Sequence, residues 1–394
     1  MAAVGSYEFV APAKIVFGWG RRREAGALGR SLGRRAFLVS GLPEEVGRPI
    51  ISEIGEALRG QGIELVAATE IVHEPEVQDV DRLSERLRRE KAASGDFMLA
   101  VGGGAAMDLA KAAGAMAVNC QSETVADYLE NVGRGFEIVD SPLPVLAMPT
   151  TAGTGAEATK NAVISSYAPP FKKSLRDDRL MPRIALVDPE LSVSVPAKVT
   201  AASGMDAITQ LFESYISRKA RPIPRALAVQ GLQLAIPAIV EAVEQPDSRA
   251  AREAMAHAAL LSGMALANSG LGMAHGVAPA LGIHCRTPHG LACALMLPVA
   301  LRINSEVRAD ELAFLSNLLF GRGKTMPRQE AIEVLIGEIE GICERIGIPR
   351  RLSELGVRRE QIPDLVKSSR GSSMSGNPRE LSDEELTAVL EGIY

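Results

Sequence analysis

The residues of this chain that most directly indicate chemistry are its histidines, of which there are five in 394 residues. Three of them, His275, His284 and His289, lie in one stretch, GMAHGVAPALGIHCRTPHG, which ends at Gly290. Imidazole binds divalent metals and transfers protons near neutral pH, so this clustering is typical of a metal or proton-transfer site. The histidines alone fit ordinary polar packing equally well.

A carboxylate and an amide precede the histidines in GMDAITQLFESY. Asp206 and Gln210 are four positions apart on a predicted helix, so their side chains share one face. Their oxygens can form half of a metal site, and His275 and His289 would supply the other half. Asp and Gln at this spacing are also common on solvated helix faces, and that interpretation stays open here.

A glycine-rich turn follows the predicted strand FMLAV and reads GGGAAMDLAKAAG. Glycines at a strand-to-helix turn let the backbone approach a phosphate, and the N–H groups of the helix start can hold the anion. We predict that this turn binds a dinucleotide cofactor, with Asp108 on the first turns of the helix. The glycines of a purely structural turn are the alternative. The predicted cofactor residues here are Gly102, Gly103, Gly104, Ala105 and Asp108.

A second loop, MPTTAGTGAEATKNAVI, follows the predicted strand PVLAM. Three threonine hydroxyls and two glycines within a few residues are more typical of a ligand-binding loop than of a structural turn. Thr150, Thr151 and Thr154 are therefore predicted to contact the cofactor.

The elements that must position these residues change in character near Ser192. Before it, strands and helices alternate, which predicts a doubly wound parallel sheet. The opening SYEFVAPAKIVFGWG predicts a hairpin or a pair of edge strands, and the stretch that carries Lys172 and Lys173 is predicted to be irregular. After Ser192, the pattern is almost entirely helical, with helices expected at 203–217, 225–243, 248–268, 290–304 and 328–346.

The chain length and this change of pattern predict two domains. We expect an α/β dinucleotide-binding domain at residues 1–190 and a helical metal and substrate domain at residues 191–394. A cleft between two domains is the usual place for a ligand site.

Composition narrows the class of protein. The net charge of −5 argues against a nucleic-acid partner, and no run reaches the ~18 apolar residues of a membrane span. The start MAAVGSYEFVAPAK lacks the pattern of a signal peptide. Four cysteines without CxxC spacing indicate reduced thiols, with only Cys285 considered for more than packing. These features predict a cytoplasmic protein that binds small molecules.

The order of several motifs resembles the iron-containing alcohol dehydrogenases over essentially the whole chain. These motifs are GGGAAMDLAK, PTTAGTGAEAT, ALVDPEL, GMDAITQ, GLGMAHG and PHGLACALMLP, followed by GIPRRLSELGV and NPRELSDEEL. The resemblance implies a fold like that of dehydroquinate synthase, with a divalent metal between the two domains. It also implies NAD(P)-dependent oxidation of an alcohol or reduction of an aldehyde or ketone, in which the metal polarises the substrate oxygen.

The resemblance assigns site residues by position. The family's metal-binding aspartate matches Asp206, and its two distal histidine ligands match His275 and His289. The metal is expected to be iron, with zinc as the alternative. The family's phosphate loop matches residues 102–105, and the family's threonine loop matches Thr150, Thr151 and Thr154.

Two departures from the family pattern bear on the metal. Gln210 stands where the family has a histidine ligand, and an amide oxygen binds iron or zinc more weakly than imidazole does. Pro279 stands where the family has a histidine near the substrate. His284 is the candidate replacement, as a proton donor or as a ligand. Ala105 and Ala156 also replace two serines, a milder change because backbone amides make most phosphate contacts.

Cofactor preference depends on the residue after the first strand of the α/β pattern. NAD-preferring relatives have an aspartate there, which binds the ribose hydroxyls, whereas this chain has Gly41. A 2′-phosphate would meet no negative charge at Gly41, so NADP is admissible. Glu44 and Glu45 follow closely and would favour NAD, so both nucleotides remain candidates.

Several functions are therefore expected in order of preference. The first is a metal-dependent alcohol dehydrogenase or carbonyl reductase. The second is a metal-independent carbonyl reductase that uses His284 or water, and the third is a non-catalytic dinucleotide-binding relative. A lyase resembling dehydroquinate synthase is disfavoured. Such an enzyme needs several lysines and arginines around the metal to bind a phosphate sugar, and Arg286 is the only lysine or arginine at 260–290. The alternating run EFVAPAKIVFG predicts pairing of edge strands in a homodimer.

Overall fold

The computed structural model of the protein describes residues 5–394, so the first four residues of the segment considered for a signal peptide lie outside it. The chain divides into two compact units. The α/β unit comprises Val10–Thr151 and Gly155–Val195. The helical unit comprises Pro196–Tyr394 together with Ala152–Thr154 and the residues up to Phe9.

The α/β unit contains a six-stranded parallel sheet with the order β1-β8-β5-β4-β2-β3 and a separate antiparallel hairpin, β6-β7. This confirms the predicted parallel sheet and its fold class. The strands are β1 (Lys14–Phe17), β2 (Arg35–Ser40), β3 (Glu64–Glu70), β4 (Asp96–Gly102), β5 (Val145–Pro149), β6 (Asn161–Tyr167), β7 (Pro170–Arg176) and β8 (Ile184–Val187). The helices are α1 (Ala25–Gly29), α2 (Glu44–Arg59), α3 (Val77–Arg89) and α4 (Gly104–Met116).

The central strand β4 shows why the predicted strands are continuous apolar runs. Phe97 and Leu99 pack into one hydrophobic cluster of the unit, whereas Met98 and Ala100 pack into another. Successive side chains of a strand point to opposite faces, so both faces of this sheet are covered and neither position can be polar.

Two predictions for the α/β unit are wrong. The opening segment forms no hairpin among the described residues, because only β1 is a strand, and it pairs parallel to β8 at the edge of the sheet. The stretch predicted to be irregular is the hairpin β6-β7. Its lysines obscured the strand pattern, although Lys172 is mostly buried and its Nζ lies 2.6 Å from a carboxylate oxygen of Glu74.

The helical unit contains the predicted helices, with bounds shifted by a few residues, and also helices that were not predicted. Among the latter, α8 carries Gly276, Pro279 and Gly282, which hide its helical pattern. Near the C-terminus, Ser382 Oγ accepts a hydrogen bond from Glu385 N and the Glu385 carboxylate accepts one from Ser382 N, which together form a capping box. The helices are α5 (Ala197–Ile216), α6 (Pro222–Glu244), α7 (Arg249–Ser269), α8 (Met273–Cys285), α9 (His289–Asn304), α10 (Ala309–Phe320), α11 (Arg328–Arg345), α12 (Ile362–Ser368) and α13 (Asp383–Gly392).

One helix, α6, is long and apolar enough to cross a membrane by length and composition, which the sequence inspection did not expect. In the structure Ala228, Leu232 and Ile239 of this helix are fully buried in the core of the helical unit. An apolar helix at the centre of a folded core passes the same test of length and composition.

Candidate metal centre and nucleotide loop

One face of α5 carries three buried polar residues. Asp206, Gln210 and Glu213 follow one another at intervals of four and three residues, which places them on the same side of the helix. Burying polar side chains costs free energy unless they have partners, so this face must meet complementary groups.

The start of α8 supplies partners for Glu213. The Glu213 carboxylate accepts hydrogen bonds from the backbone N–H groups of Gly272 and Ala274, at 3.0 and 2.7 Å. The N-terminus of a helix leaves such groups unsatisfied and favours a negative charge. The same carboxylate lies 2.8 Å from Nδ1 of His275, and Nε2 of that ring lies 3.1 Å from Oδ1 of Asp206. Glu213 therefore fixes the ring with Nε2 directed at Asp206.

The start of α9 completes the arrangement. His289 is its first residue, and its Nε2 lies 3.9 Å from Oδ1 of Asp206 and 3.7 Å from Sγ of Cys293. One ligand atom each from Asp206, His275, His289 and Cys293 lies within 4.8 Å of every other. We call these four residues the donor cluster.

Two glycines permit this close approach of three helices. A Cβ on Gly290 would lie 2.5 Å from the carbonyl oxygen of Ala202 on α5, and a Cβ on Gly272 would lie 2.8 Å from Oε1 of Glu213. Both distances are too short for a side chain. The donor cluster therefore depends on glycine at the starts of both α8 and α9.

The chemistry of the donor cluster fits a transition-metal ion. A carboxylate oxygen, two imidazole nitrogens and a thiol sulfur are ligands of zinc and iron in proteins. A carboxylate that orients a ligating imidazole through its other nitrogen is a frequent companion of such sites, and Glu213 has this position on His275.

Electrostatics within the cluster favour a proton where no ion is bound. Burial alone would lower the pKa of His275, but its neighbours Cys293, Asp206 and Glu213 raise it well above the usual range. Burial raises the pKa of Asp206, yet the hydrogen bond from His275 and the nearby His289 hold it below its usual range. Burial raises the pKa of Cys293 to about 12. Because a metal requires deprotonated ligands, an ion must compete with protons here.

The predicted phosphate loop lies in the α/β unit, where β2 and β4 end side by side. Gly41 N donates to the carbonyl oxygen of Val101 at 2.8 Å, and a Cβ on Gly102 would lie 2.9 Å from Cα of Gly41. The two backbones are in contact, so a side chain at Gly102 would clash, whereas a Cβ on Gly41 would lie 3.2 Å from Cβ of Ala106 and would require a small shift of its neighbours.

Gly103 is the N-cap residue of α4 and has no side chain to accept the first N–H groups of the helix. A Cβ at Gly103 would lie 3.3 Å from Oγ1 of Thr151, and Thr150 N donates to the carbonyl oxygen of Gly102 at 2.9 Å. The loop thus brings together glycine backbone, the uncapped start of a helix that includes Gly104 and a hydroxyl. These are the features that suit a phosphate.

Two predicted cofactor residues have other positions. Oδ2 of Asp108 accepts a hydrogen bond from Val163 N of β6 at 3.1 Å, and Oδ1 lies 3.7 Å from Nζ of Lys111. Its carboxylate therefore holds the hairpin against α4, and its contact with the cofactor stays a prediction. Thr154 belongs to the short segment Ala152–Thr154 of the helical unit.

Comparison with known proteins identifies the family. The family model for iron-containing alcohol dehydrogenases matches residues 12–189, and the model for the C-terminal part of that family matches residues 200–394. The chain belongs to the iron-containing alcohol dehydrogenase family. It is an oxidoreductase acting on CH–OH groups, as the resemblance predicted, and the comparisons do not favour the metal-independent or non-catalytic alternatives.

Similar proteins cover nearly the whole chain. The NAD-dependent methanol dehydrogenase of Bacillus methanolicus is 30% identical over 97% of this chain and 98% of the relative. The long-chain-alcohol dehydrogenase 1 of Geobacillus thermodenitrificans is 32% identical over 97% of each chain. A crystal structure of 1,3-propanediol oxidoreductase superposes with a TM-score of 0.91 at 29% identity and covers 99% of this chain and 100% of that chain.

The two departures from the family pattern can now be located in this dehydrogenase. Gln210 lies on the expected face of α5, where its Oε1 is 2.7 Å from Oγ of Ser262 on α7. Pro279 lies inside α8, which continues through it to Cys285. Since proline has no backbone N–H, it cannot donate to the carbonyl oxygen of His275 as the helix requires. Neither position supplies an imidazole.

His284 does not replace the missing imidazoles. It lies nine residues after His275 on the same helix, so the two side chains point to opposite sides of that helix. Its Nε2 is 2.8 Å from Oγ of Ser368, and it is not part of the donor cluster. The structure therefore does not place His284 among the candidate ligands, and its role as a proton donor stays a prediction.

The cysteine that the sequence analysis considered for more than packing is not the one in the donor cluster. Cys285 ends α8 and is partly exposed, whereas Cys293, interpreted as packing, is buried in the donor cluster. Its spacing of four from His289 was the available signal, because both then share a helix face. Glu213 was missed as well, although it lies seven residues after Asp206, two turns along the same face.

Proposed function

We propose that this dehydrogenase interconverts a small alcohol and the corresponding aldehyde or ketone, with NAD or NADP and a divalent metal held by Asp206, His275 and His289. The convergence of these three side chains, with their ligand atoms within 4.8 Å of one another, carries the proposal. When bound, the metal supplies Lewis acidity for the substrate oxygen and the nicotinamide supplies the hydride acceptor.

The chain's own residues prepare the metal site. Glu213 accepts a hydrogen bond from Nδ1–H of His275, which leaves the Nε2 lone pair for the ion. Asp206 is the negative ligand, and its burial keeps water from competing for it. The rigid start of α8, held by the Glu213 carboxylate, fixes the ligand before any ion arrives.

The nucleotide site that we propose is built on Gly41, Gly102, Gly103, Gly104, Ala105, Thr150 and Thr151. The N–H groups at the start of α4 would hold a phosphate, and Thr151 would donate its hydroxyl beside it. Glycine at position 41 presents no carboxylate that would repel a 2′-phosphate. Thr154 is retained as a candidate contact because it ends the same threonine loop.

We also propose a cytoplasmic homodimer. Four free cysteines suit a reducing compartment. Strand β1 is an edge of the sheet in the described residues, and the side chain of Ile15 on it is exposed. An apolar edge strand is a template for pairing with a second copy. Sedimentation of the wild-type chain and of Ile15→Lys tests this, and equal monomer masses for both would contradict it.

The test of the proposed function combines metal analysis with turnover. The protein is purified without chelators, its metals are quantified, and NADH and NADPH oxidation is followed over a panel of aldehydes and ketones. Asp206→Ala should lose both the metal and the activity, whereas the exposed Asp247→Ala should retain both. Turnover that survives chelation and the Asp206 substitution would contradict the metal-dependent reaction. Failure to bind either nucleotide would contradict every NAD(P)-dependent function considered for the chain.

A further inference from the structure

The thiol of Cys293 has no assigned role in the proposed reaction, although it is one of the four members of the donor cluster. It lies one turn after His289 on α9, and its side chain is fully buried. Packing alone accounts for a buried cysteine, but it does not require the sulfur to lie beside the ligand atoms of three other residues.

The separations around the cluster lie close to those of a tetrahedral site. A tetrahedral zinc ion with bonds of about 2.0–2.3 Å has ligand atoms about 3.3–3.8 Å apart. Asp206 Oδ1 lies 3.1 Å from His275 Nε2 and 3.9 Å from His289 Nε2. The sulfur of Cys293 lies 3.7 Å from His289 Nε2. The sulfur therefore lies at tetrahedral spacing from one ligand atom and within 4.8 Å of the other two.

Gln210 is the rival for this fourth corner. One end of its amide is bound to Ser262, whose hydroxyl also lies 2.7 Å from the carbonyl oxygen of Ala259. A hydroxyl has one proton, so if it donates to Ala259 the amide must turn and donate its own N–H to Ser262. In that orientation the Gln210 oxygen is free, which makes Gln210 the comparison that the experiment must include.

We propose that Cys293 is the fourth protein ligand of the metal and supplies the donor that Gln210 and Pro279 no longer provide as imidazoles. This inference rests on the metal site of the proposed function. The S–H proton leaves to solvent as the sulfur–metal bond forms, and neither partner changes oxidation state. A carboxylate, two imidazoles and a thiolate form a softer set than the family's, so the site favours zinc over ferrous iron.

Cobalt(II) substitution of the whole protein tests the proposal. Thiolate coordination gives cobalt an intense charge-transfer absorption in the near ultraviolet, which nitrogen and oxygen ligands do not give. The wild type and Gln210→Ala should show this band at one cobalt per chain. Cys293→Ser should lose it and bind cobalt at least roughly tenfold more weakly. Cys343→Ser, which changes another buried cysteine outside the cluster, should retain the band.

A second measurement needs no variant. X-ray absorption at the zinc edge of the zinc-loaded wild type should show one sulfur at about 2.3 Å. Stoichiometric metal without sulfur, or a cobalt band that persists in Cys293→Ser, overturns the thiolate ligand and leaves the proposed function standing. A band lost in Gln210→Ala with Cys293 intact would also overturn it. Absence of any stoichiometric metal overturns both proposals.

Discussion

The two candidate sites of this chain are built from different materials. The nucleotide loop of the α/β unit consists mainly of backbone, with glycines where β2 and β4 end and the uncapped first turn of α4, and Thr151 adds one hydroxyl. The donor cluster of the helical unit consists of side chains that meet from α5, α8 and α9. The loop needs side chains to be absent, whereas the cluster needs particular side chains to be present.

This difference decides which substitutions each site tolerates. Replacing serine by Ala105 or Ala156 leaves the backbone of the loop in place, and backbone N–H groups are its proposed donors. Replacing histidine by Gln210 removes a ligand type, and only a new side chain at the right distance can compensate. Variation in the loop is therefore mild, and variation in the cluster changes its chemistry.

The largest expected effect comes from removing one imidazole of the cluster. His275→Ala should eliminate stoichiometric metal and lower kcat/KM by roughly a thousandfold or more, since Lewis-acid stabilisation contributes several kcal/mol. His257→Ala, on α7 and outside the cluster, is the control for general loss of a histidine. Metal content and steady-state kinetics measure both. Full metal occupancy in His275→Ala would contradict this comparison, because the cluster would then tolerate the loss of a ligand side chain just as the loop tolerates the loss of its serines.

The next effect tests the loop by adding a side chain. Gly103→Val places branched carbons where even a Cβ would lie 3.3 Å from Oγ1 of Thr151. We expect nucleotide affinity to fall roughly ten- to a hundredfold, as overpacking costs 1–3 kcal/mol. Ala105→Ser should change it by less than about threefold, because it only adds a hydroxyl. Calorimetric titration decides, and a larger effect for Ala105→Ser would contradict a backbone-built site.

The contrast also explains what sequence alone could predict. Glycines directly after an apolar strand carry their meaning locally, so Gly102 and Gly103 were placed correctly in a strand-to-helix turn. Asp206, His275 and His289 required long-range information, which came from the order of family motifs. Cys293 lies within the motif PHGLACALMLP, but the resemblance assigns it no role, and spacing along one helix cannot show that its sulfur meets residues of two others.

Two predicted site residues lie away from the side chains or loop that they neighbour in sequence. His284 lies in the same stretch as His275, but helical rotation sends it to the opposite face, toward Ser368. Asp108 lies beside the glycine loop in sequence, but its carboxylate binds β6, a strand that was not predicted. In each case proximity along the chain was taken for proximity in space.

A smaller effect is expected from the carboxylate that orients His275. Glu213→Gln retains an oxygen for the N–H groups at the start of α8, but it removes the charge beside Nδ1 of His275. Metal affinity should fall about tenfold, within the range found when a group that orients a ligand is replaced. Competition with a chromophoric chelator measures it. Unchanged affinity would show that backbone position, and not the side chain, aligns the ring.

The smallest functional effect is expected at Glu157, a buried carboxyl of the α/β unit in the turn Ala156–Ala158. Burial raises its pKa to about 7, which its own backbone hydrogen bond and the charge of Lys111 offset only in part. The folded state therefore holds a proton that the unfolded state releases near its usual pKa of about 4.3. Stability should fall as pH rises between these two values and level off above the folded pKa.

Glu157→Gln should remove this pH dependence and leave turnover unchanged. The difference in unfolding free energy between wild type and variant should shift by on the order of 3 kcal/mol from about pH 4 to about pH 8. Urea denaturation at several pH values measures this difference, in which the other titrating groups cancel. A constant difference would mean that Glu157 ionises alike in both states. Lost nucleotide binding in the variant would mean that the loop depends on a side chain after all, and the contrast between the two sites would fail.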